Sequence, residues 1–171
     1  FKITFKLKKK NLTVIRGSGI DINYFKYHSE KTKNEVRLAY AGRILEDKGV
    51  LCLVEAYKIA KAKNASLSLY IAGSLDEENP SSISKEHFNQ IINFKDINYL
   101  GKINNIKKYW QEADIAVLLS KREGLPLSLL EAAAIGRPII STNVTGSREI
   151  AINNYNAINI KPGDIVECSK A

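Results

Sequence analysis

The sequence predicts a doubly wound α/β domain, a parallel sheet with helices on both faces. Three observations predict it. Short runs that are apolar throughout, such as Val36–Ala41 and residues 115–119, alternate with longer stretches of helical spacing. A strand without polar alternation is buried on both faces, and parallel neighbours need a crossover helix between them. Glycines at 42, 73 and 101 punctuate the ends of these runs, where strand gives way to loop.

The 171 residues suffice for one sizeable core. At 44% hydrophobic and 26% charged, the composition is that of an ordinary globular protein. No apolar run approaches the roughly 20 residues of a spanning helix. The start, FKITFKLKKK, lacks the continuous apolar stretch of a signal peptide. The chain begins without Met and reads as a piece of a longer protein. Cys52 and Cys168 make neither a disulfide framework nor a metal-ligand spacing. With only His28 and His87 beside them, they point to a reduced, cytoplasmic setting and to no metal.

The net charge of +8 favours anionic partners, such as phosphate-bearing ligands or an acidic membrane surface. Lys2, Lys6 and Lys8 alternate with Phe1, Ile3, Phe5 and Leu7. That period of two is first an amphipathic strand with one solvated face, and only second a peripheral membrane contact. No RNP, helix-turn-helix or zinc-finger signature accompanies the charge, so nucleic acid is not an expected partner.

The elements follow in order. A strand over 11–15 leads into the turn Gly17-Ser18-Gly19. After the strand Val36–Ala41, residues 49–63 carry Val50, Leu53, Val54, Tyr57 and Ala60 on one helical face. Leu67–Ala72 is a strand, followed by the acidic loop Asp76-Glu77-Glu78-Asn79-Pro80. Serines at 81, 82 and 84 cap a helix over 84–93. A strand over 97–100 precedes a helix over 105–113, with Ile106, Tyr109 and Trp110 inward. The strand 115–119 leads to a helix over 126–135, a strand over 138–142 and a short helix over 147–151. Ala157–Ile160 is the last strand, and Pro162-Gly163-Asp164 opens a turn.

Ligands of such sheets bind at the carboxyl ends of the strands. One such end is the stretch KREGLPLSLLE, residues 121–131. Pro126 suits the first helical position, because its missing N–H has no partner there anyway. The remaining free N–H groups face back toward Glu123 and Gly124 and favour anions or hydroxyl oxygens. The helix is apolar nearly all round and is expected to be mostly buried. Glu131 and Ser128 are its polar exceptions. Helical side chains tilt toward the N-terminus, so Glu131 is expected to lean toward the helix mouth and could accept from a ligand diol. A plain solvent stripe of Ser128 and Glu131 is the competing reading. A glycosidase pair of acids is disfavoured, because the second acid sits well back in an apolar helix.

A second strand end is Ala41-Gly42-Arg43, with Lys48-Gly49 following. A planar guanidinium fork and an ammonium point charge together suit a diphosphate. The order of a Walker A loop is absent, and so is G-x-G-x-x-G. Taken alone, two surface cations in a loop is the plainer reading.

Taken together, Gly42-Arg43, Lys48-Gly49, Glu123-Gly124-x-Pro126, Glu131-Ala132 and Gly136-x-Pro138 resemble the carboxy-terminal domain of retaining glycosyltransferases of family four. The glutamate pair spaced as Glu123 and Glu131 is that family's mark. The resemblance runs from about Val14 to Glu149. Asp76-x-Glu78-Asn79-Pro80 and Arg122 to Pro126 resemble the bacterial capsule and O-antigen sugar transferases within it.

The resemblance implies a Rossmann-like domain forming one half of a GT-B fold. Residues 1–20 would be the interdomain lead-in strand and linker, including Gly17 and Gly19, and 21–171 the donor-binding domain. Arg43 and Lys48 would hold the donor diphosphate and stabilise the leaving group, with Gly42 beside them. Glu123 would accept from the sugar hydroxyls, and the amides of Gly124 and Leu125 would donate to the sugar. Glu131 would bind the ribose diol, and Gly101, Lys102 and Ile103 would flank the base. The co-substrate would be a nucleoside diphosphate sugar, with uridine as the base of the look-alikes. The reaction would need no metal and no other cofactor.

The acceptor would be a lipid-linked or other glycan, at the inner face of the plasma membrane. The acceptor site and a polar catalytic residue belong to an amino-terminal domain that these residues do not include, and neither His28 nor His87 matches that residue. The family's crossing carboxy-terminal helix also finds no counterpart. Transfer by these residues alone is not expected. A GT-B sugar-nucleotide epimerase and a non-catalytic nucleotide-binding module are the alternatives, and the glutamate pair argues against the first.

Overall fold

A computed structural model describes residues 13, 17–29, 35–64 and 66–171. The lysine-rich start and the strand expected over 11–15 fall, apart from Thr13, outside them.

Six strands form one sheet: β1 (Val36–Ala41), β2 (Leu67–Ala72), β3 (Ile97–Gly101), β4 (Ile115–Leu118), β5 (Ile139–Thr142) and β6 (Ala157–Ile160). Their spatial order is β3-β2-β1-β4-β5-β6, and every neighbouring pair is parallel. The chain thus builds outward from β1 to one edge, then returns to the other side of β1. Right-handed crossovers place helices from the two halves on opposite faces. Helix α1 (Val50–Lys63) packs on β2 and β4, and α2 (Lys85–Ile92) packs on β3. From the second half, α4 (Leu127–Ile135) packs on β4 and β5 and against α3 (Ile106–Glu112). This is the doubly wound architecture that the apolar runs predict.

Burial explains why the strands lack alternation. Leu38, Ala39 and Tyr40 are consecutive and all buried, and so are Ala116, Val117 and Leu118. The central strands feed both helical layers, so both of their faces favour apolar side chains. Trp110, Tyr40, Tyr57 and Ile44 are among the largest fully buried side chains. Two short helices complete the domain: α5 (Thr145–Arg148) after β5 and α6 (Ile165–Cys168), which packs on α1.

Several boundaries move by a residue or two. Pro126 is extended, with ψ of 107°, and caps α4 instead of opening it. Its carbonyl accepts from the amides of Leu129 and Leu130, so the first helical residue is Leu127. Ser84 and Asn105 are likewise caps, whose side chains accept from the amides of His87 and Lys108. The short helix expected over 147–151 starts two residues earlier, because Val144 is extended and Gly146 turns tightly against the loop after β4. The α6 turn is an element that sequence periodicity does not reveal at four residues.

The segment leading into β1 is pinned to the amino-terminal side of the sheet. The amide of His28 donates to the Ile135 carbonyl at 3.0 Å, and the buried Arg137 donates to the carbonyls of His28 and Ala113. The Tyr27 ring lies so close to Gly136 that a side chain there would meet it at 2.6 Å.

Candidate functional site

The strand order reverses between β1 and β4, and there the carboxyl ends of two neighbours lead off in different directions. Ladder pairing between them joins Leu38 to Ile115 and Ala39 to Ala116, although the strands run on to Ala41 and Leu118. The unpaired strand ends leave a crevice of about 330 Å³. Gly42, Arg43 and Lys48 line it from the β1 side, and Glu123, Leu125, Pro126 and Ser128 from the β4 side. A crevice at the switch point of a doubly wound sheet is where ligands of such folds bind.

The two loops are locked to each other. The amide of Lys121 donates to the Asp47 carbonyl at 2.8 Å. Lys121 pairs with Glu46 at 2.6 Å and Arg122 with Asp47 at 3.0 Å. The Arg122 hydrogen bond holds the Asp47 carboxyl below its usual range. Gly49 adopts φ of 73°, and a Cβ there would lie 2.1 Å from the Leu119 carbonyl oxygen. A glycine is therefore required at this contact.

Glu123 is the most constrained group of the crevice. Its Oε1 accepts from Lys48 Nζ at 2.7 Å and from Ser120 Oγ at 2.6 Å. Its side chain is only 7% exposed. Ser120 is itself buried, and its carbonyl accepts from the Thr142 hydroxyl of β5. These contacts hold Oε1 and fix where Oε2 lies.

Arg43 is more open, and its Nη1 meets Asp76 Oδ2 at 2.8 Å. Asp76 belongs to the acidic loop after β2. That loop lies along the Arg43 segment through Ile44 N–H to the Ser74 carbonyl and Glu46 N–H to the Ser81 carbonyl. Below Arg43, the Tyr40 hydroxyl donates to the Arg43 carbonyl at 2.6 Å. Burial, with the nearby Glu123 charge, pushes the Tyr40 phenol far up, so it stays a donor at all working pH.

The mouth of α4 completes the crevice. Among the described residues, the amides of Gly124 and Leu125 have no hydrogen-bond acceptor. The helix is mostly withdrawn from solvent, as expected, with Leu127 as the exception: although apolar, it is 44% exposed and lines the crevice. Leu129, Ala132 and Ile135 of α4 are fully buried, and Leu130, Ala133 and Ala134 pack against the core beside them.

The remaining candidates lie farther off. Glu131 is half-buried and accepts from the Trp110 indole N–H at 3.0 Å, so the indole turns it toward α3. Burial raises its pKa, and the indole bond offsets part of that. It is not among the residues lining the crevice. Gly101 ends β3, Lys102 and Ile103 follow it, and β2 separates β3 from β1. The Gly101 carbonyl accepts from Gly73 N–H at 2.8 Å, which joins that loop to the one after β2. Reading the sequence did not single out Ser120, Thr142 or the pairing role of Asp76. Ser120, three residues before Glu123 at the end of an apolar run, was the available signal for the first.

Among the described residues, no helix is long and apolar enough to cross a membrane. The fold and crevice define a Rossmann-like domain with two cations and a held carboxylate at its switch point. Residues 21–171 match the family described as glycosyl transferases group 1, and the chain belongs to that family.

The chain is 29% identical over 175 residues to the capsular polysaccharide biosynthesis glycosyltransferase CapM of Staphylococcus aureus, covering 95% of this chain and 45% of the relative. It is 29% identical over 163 residues to the N,N'-diacetylbacillosaminyl-diphospho-undecaprenol alpha-1,3-N-acetylgalactosaminyltransferase of Campylobacter jejuni, covering 89% and 42%. It thus spans less than half the length of these relatives. Among solved structures it superposes on HepE of Anabaena, in complex with UDP and glucose. The TM-score is 0.74 at 21% identity, over 89% of this chain and 44% of that one, a likeness of fold.

Proposed function

We propose that the chain is the donor-binding domain of a retaining glycosyltransferase that transfers a sugar from a UDP-sugar to a lipid-linked or polysaccharide acceptor. The observation that carries this reading is the meeting of Arg43, Lys48 and Glu123 in one crevice between β1 and β4. Two cations on the β1 side suit a diphosphate, and they favour the charge that develops on it as the glycosidic bond breaks. Their charge supports a reaction without a metal ion. Glu123, with Oε1 fixed, offers Oε2 to donor-sugar hydroxyls. The amides of Gly124 and Leu125 are donors for the same sugar. Glu131 and the 101–103 loop are assigned to the ribose and base.

The relatives support the wider setting. CapM is named for capsular polysaccharide synthesis, and the Campylobacter relative is named for an acceptor on diphospho-undecaprenol. HepE was crystallised with UDP. By analogy, the whole enzyme works in surface polysaccharide synthesis at the cytoplasmic face of the membrane. A second domain supplies the acceptor site, and this chain alone transfers nothing. Positioning and leaving-group stabilisation, rather than a protein nucleophile, carry the rate in this scheme.

Thermal unfolding with UDP, GDP and ADP tests the assignment, since a ligand of the native state raises its stability by mass action. UDP is expected to raise Tm most, and Arg43→Ala to abolish the rise. No rise with UDP at millimolar concentration would remove the donor assignment.

A further inference from the structure

Gly146 lies across from the loop after β4, on the side away from the crevice. It is the second residue of α5, the turn after β5, and β5 flanks β4 on the side opposite β1. A Cβ at Gly146 would lie 2.2 Å from the Gly124 carbonyl oxygen and 2.5 Å from that of Glu123. Both carbonyls therefore converge on the same α-carbon. The peptides are trans, so the N–H that follows each carbonyl points the opposite way. Those N–H groups belong to Gly124 and Leu125, neither of which has an acceptor among the described residues.

We infer that Gly146 is a positioning residue for the donor sugar: by admitting both carbonyls behind the loop, it turns the Gly124 and Leu125 amides toward the β1 side as a fixed pair of donors. This rests on the proposed donor assignment for the identity of the acceptor oxygen, but not for the orientation of the amides. The requirement is steric and local. Any side chain at Gly146 must push the Glu123–Gly124 peptide units forward or rotate them. Rotation would bring a carbonyl, which cannot donate to a sugar oxygen, where an N–H now stands. Gly124 itself faces open space where its Cβ would be, so the constraint falls on Gly146 and not on Gly124. Ser147, next in the turn, is fully buried, and its carbonyl accepts from the amides of Ile150 and Ala151.

The test uses the whole chain, labelled with ¹⁵N, and reads each amide separately. In wild type, UDP-glucose, UDP-galactose, UDP-GlcNAc and UDP-GalNAc are added in turn and compared with UDP alone. At least one sugar nucleotide is expected to shift the Gly124 and Leu125 amide signals beyond the UDP effect. Gly146→Ala is then expected to bind UDP within about twofold of wild type, and to lose tenfold or more of the preference for that sugar nucleotide over UDP.

If the chain binds UDP but none of the four moves those two signals further, the inference is overturned whether or not the variant folds. An unchanged preference in Gly146→Ala overturns it as well. If wild type binds no uridine nucleotide, the donor assignment fails by itself. The amide signals of unliganded Gly146→Ala then decide the orientation: displaced signals confined to residues 123–125 uphold the steric role, and unmoved ones refute it.

Discussion

Lys48 and Glu123 belong to loops after two different strands, and Nζ of the first lies 2.7 Å from Oε1 of the second. The carboxylate is nearly buried at 7% exposure, while the ammonium is 26% exposed. Such a pair is between the exposed and the fully buried cases. Lys48→Ala should cost about 2 kcal/mol in urea unfolding, because the carboxylate is left with one donor. Adding Glu123→Gln should recover part of that loss, since Gln still accepts from Ser120 and carries no charge. A double variant as unstable as the sum of the two singles would show that the pair is not coupled.

Ser120 gives a separate handle on the same carboxylate. Its hydroxyl is fully buried and donates to Glu123 at 2.6 Å. Hydrogen bonds to a charged group contribute more than neutral ones, so Ser120→Ala should destabilise by about 1.5–3 kcal/mol. The same substitution should weaken UDP-sugar binding more than UDP binding, because it frees Glu123 to rotate. Calorimetric titration of both ligands on the variant checks the split.

Asp76 sets the resting position of Arg43. The pair is exposed, with 57% of the arginine side chain and 31% of the aspartate accessible, so breaking it should cost less than about 1 kcal/mol of stability. Its effect on binding should be larger. The carboxylate competes with a diphosphate for the guanidinium, and Asp76→Asn should tighten UDP binding at low salt. The gain should shrink as salt rises, because screening weakens both attractions. A weaker Kd for Asp76→Asn would mean that the aspartate aims Arg43 instead of occupying it.

The fold was largely legible because its signals are local. Val36–Ala41 is short, mostly apolar and closed by Gly42, a combination that favours a strand buried on both faces. Asn105 and Ser84 announce their helices, although each proves a cap and not a first turn. Pro126 misleads by one residue for the same reason, since a proline suits both positions. The site was legible only in part. Arg43, Lys48 and Glu123 stand out by residue type and spacing, but their partners do not. Asp76 meets Arg43 because the loops after β1 and β2 run side by side. Trp110 captures Glu131 because α3 packs on α4. Gly146 matters through two carbonyls more than twenty residues earlier. Each is a consequence of strand order, which periodicity does not encode.

Gly49 and Gly163 separate backbone conformation from contact. Both have positive φ, 73° and 82°. A side chain at Gly163 would meet nothing within 4 Å, whereas one at Gly49 would overlap the Leu119 carbonyl. Gly163→Ala should cost about 1 kcal/mol, the strain of the left-handed conformation alone. Gly49→Ala should cost at least twice that, about 2–4 kcal/mol, because the loop after β4 must also move. Equal losses would mean that the two loops slide past each other freely.

Glu131 makes stability depend on pH in a direction that can be worked out. Burial raises its carboxyl above the ordinary 4.5, and the Trp110 bond only partly offsets this. The folded chain therefore holds the proton more tightly than the unfolded chain does. This group's stabilising contribution is complete below the unfolded value and is lost as pH rises through the raised folded value. Glu131→Gln keeps an oxygen for the indole N–H and removes the charge. The variant should melt higher than wild type at pH 7, and its advantage should vanish below pH 4. A diol bound by the carboxylate would reverse the order in the presence of ligand, because Gln is the weaker acceptor. Melting curves of both proteins between pH 4 and 8, with and without UDP, separate the two effects. A variant that melts lower than wild type at neutral pH without ligand would show that the ionised carboxylate is stabilised by its surroundings, not strained by them.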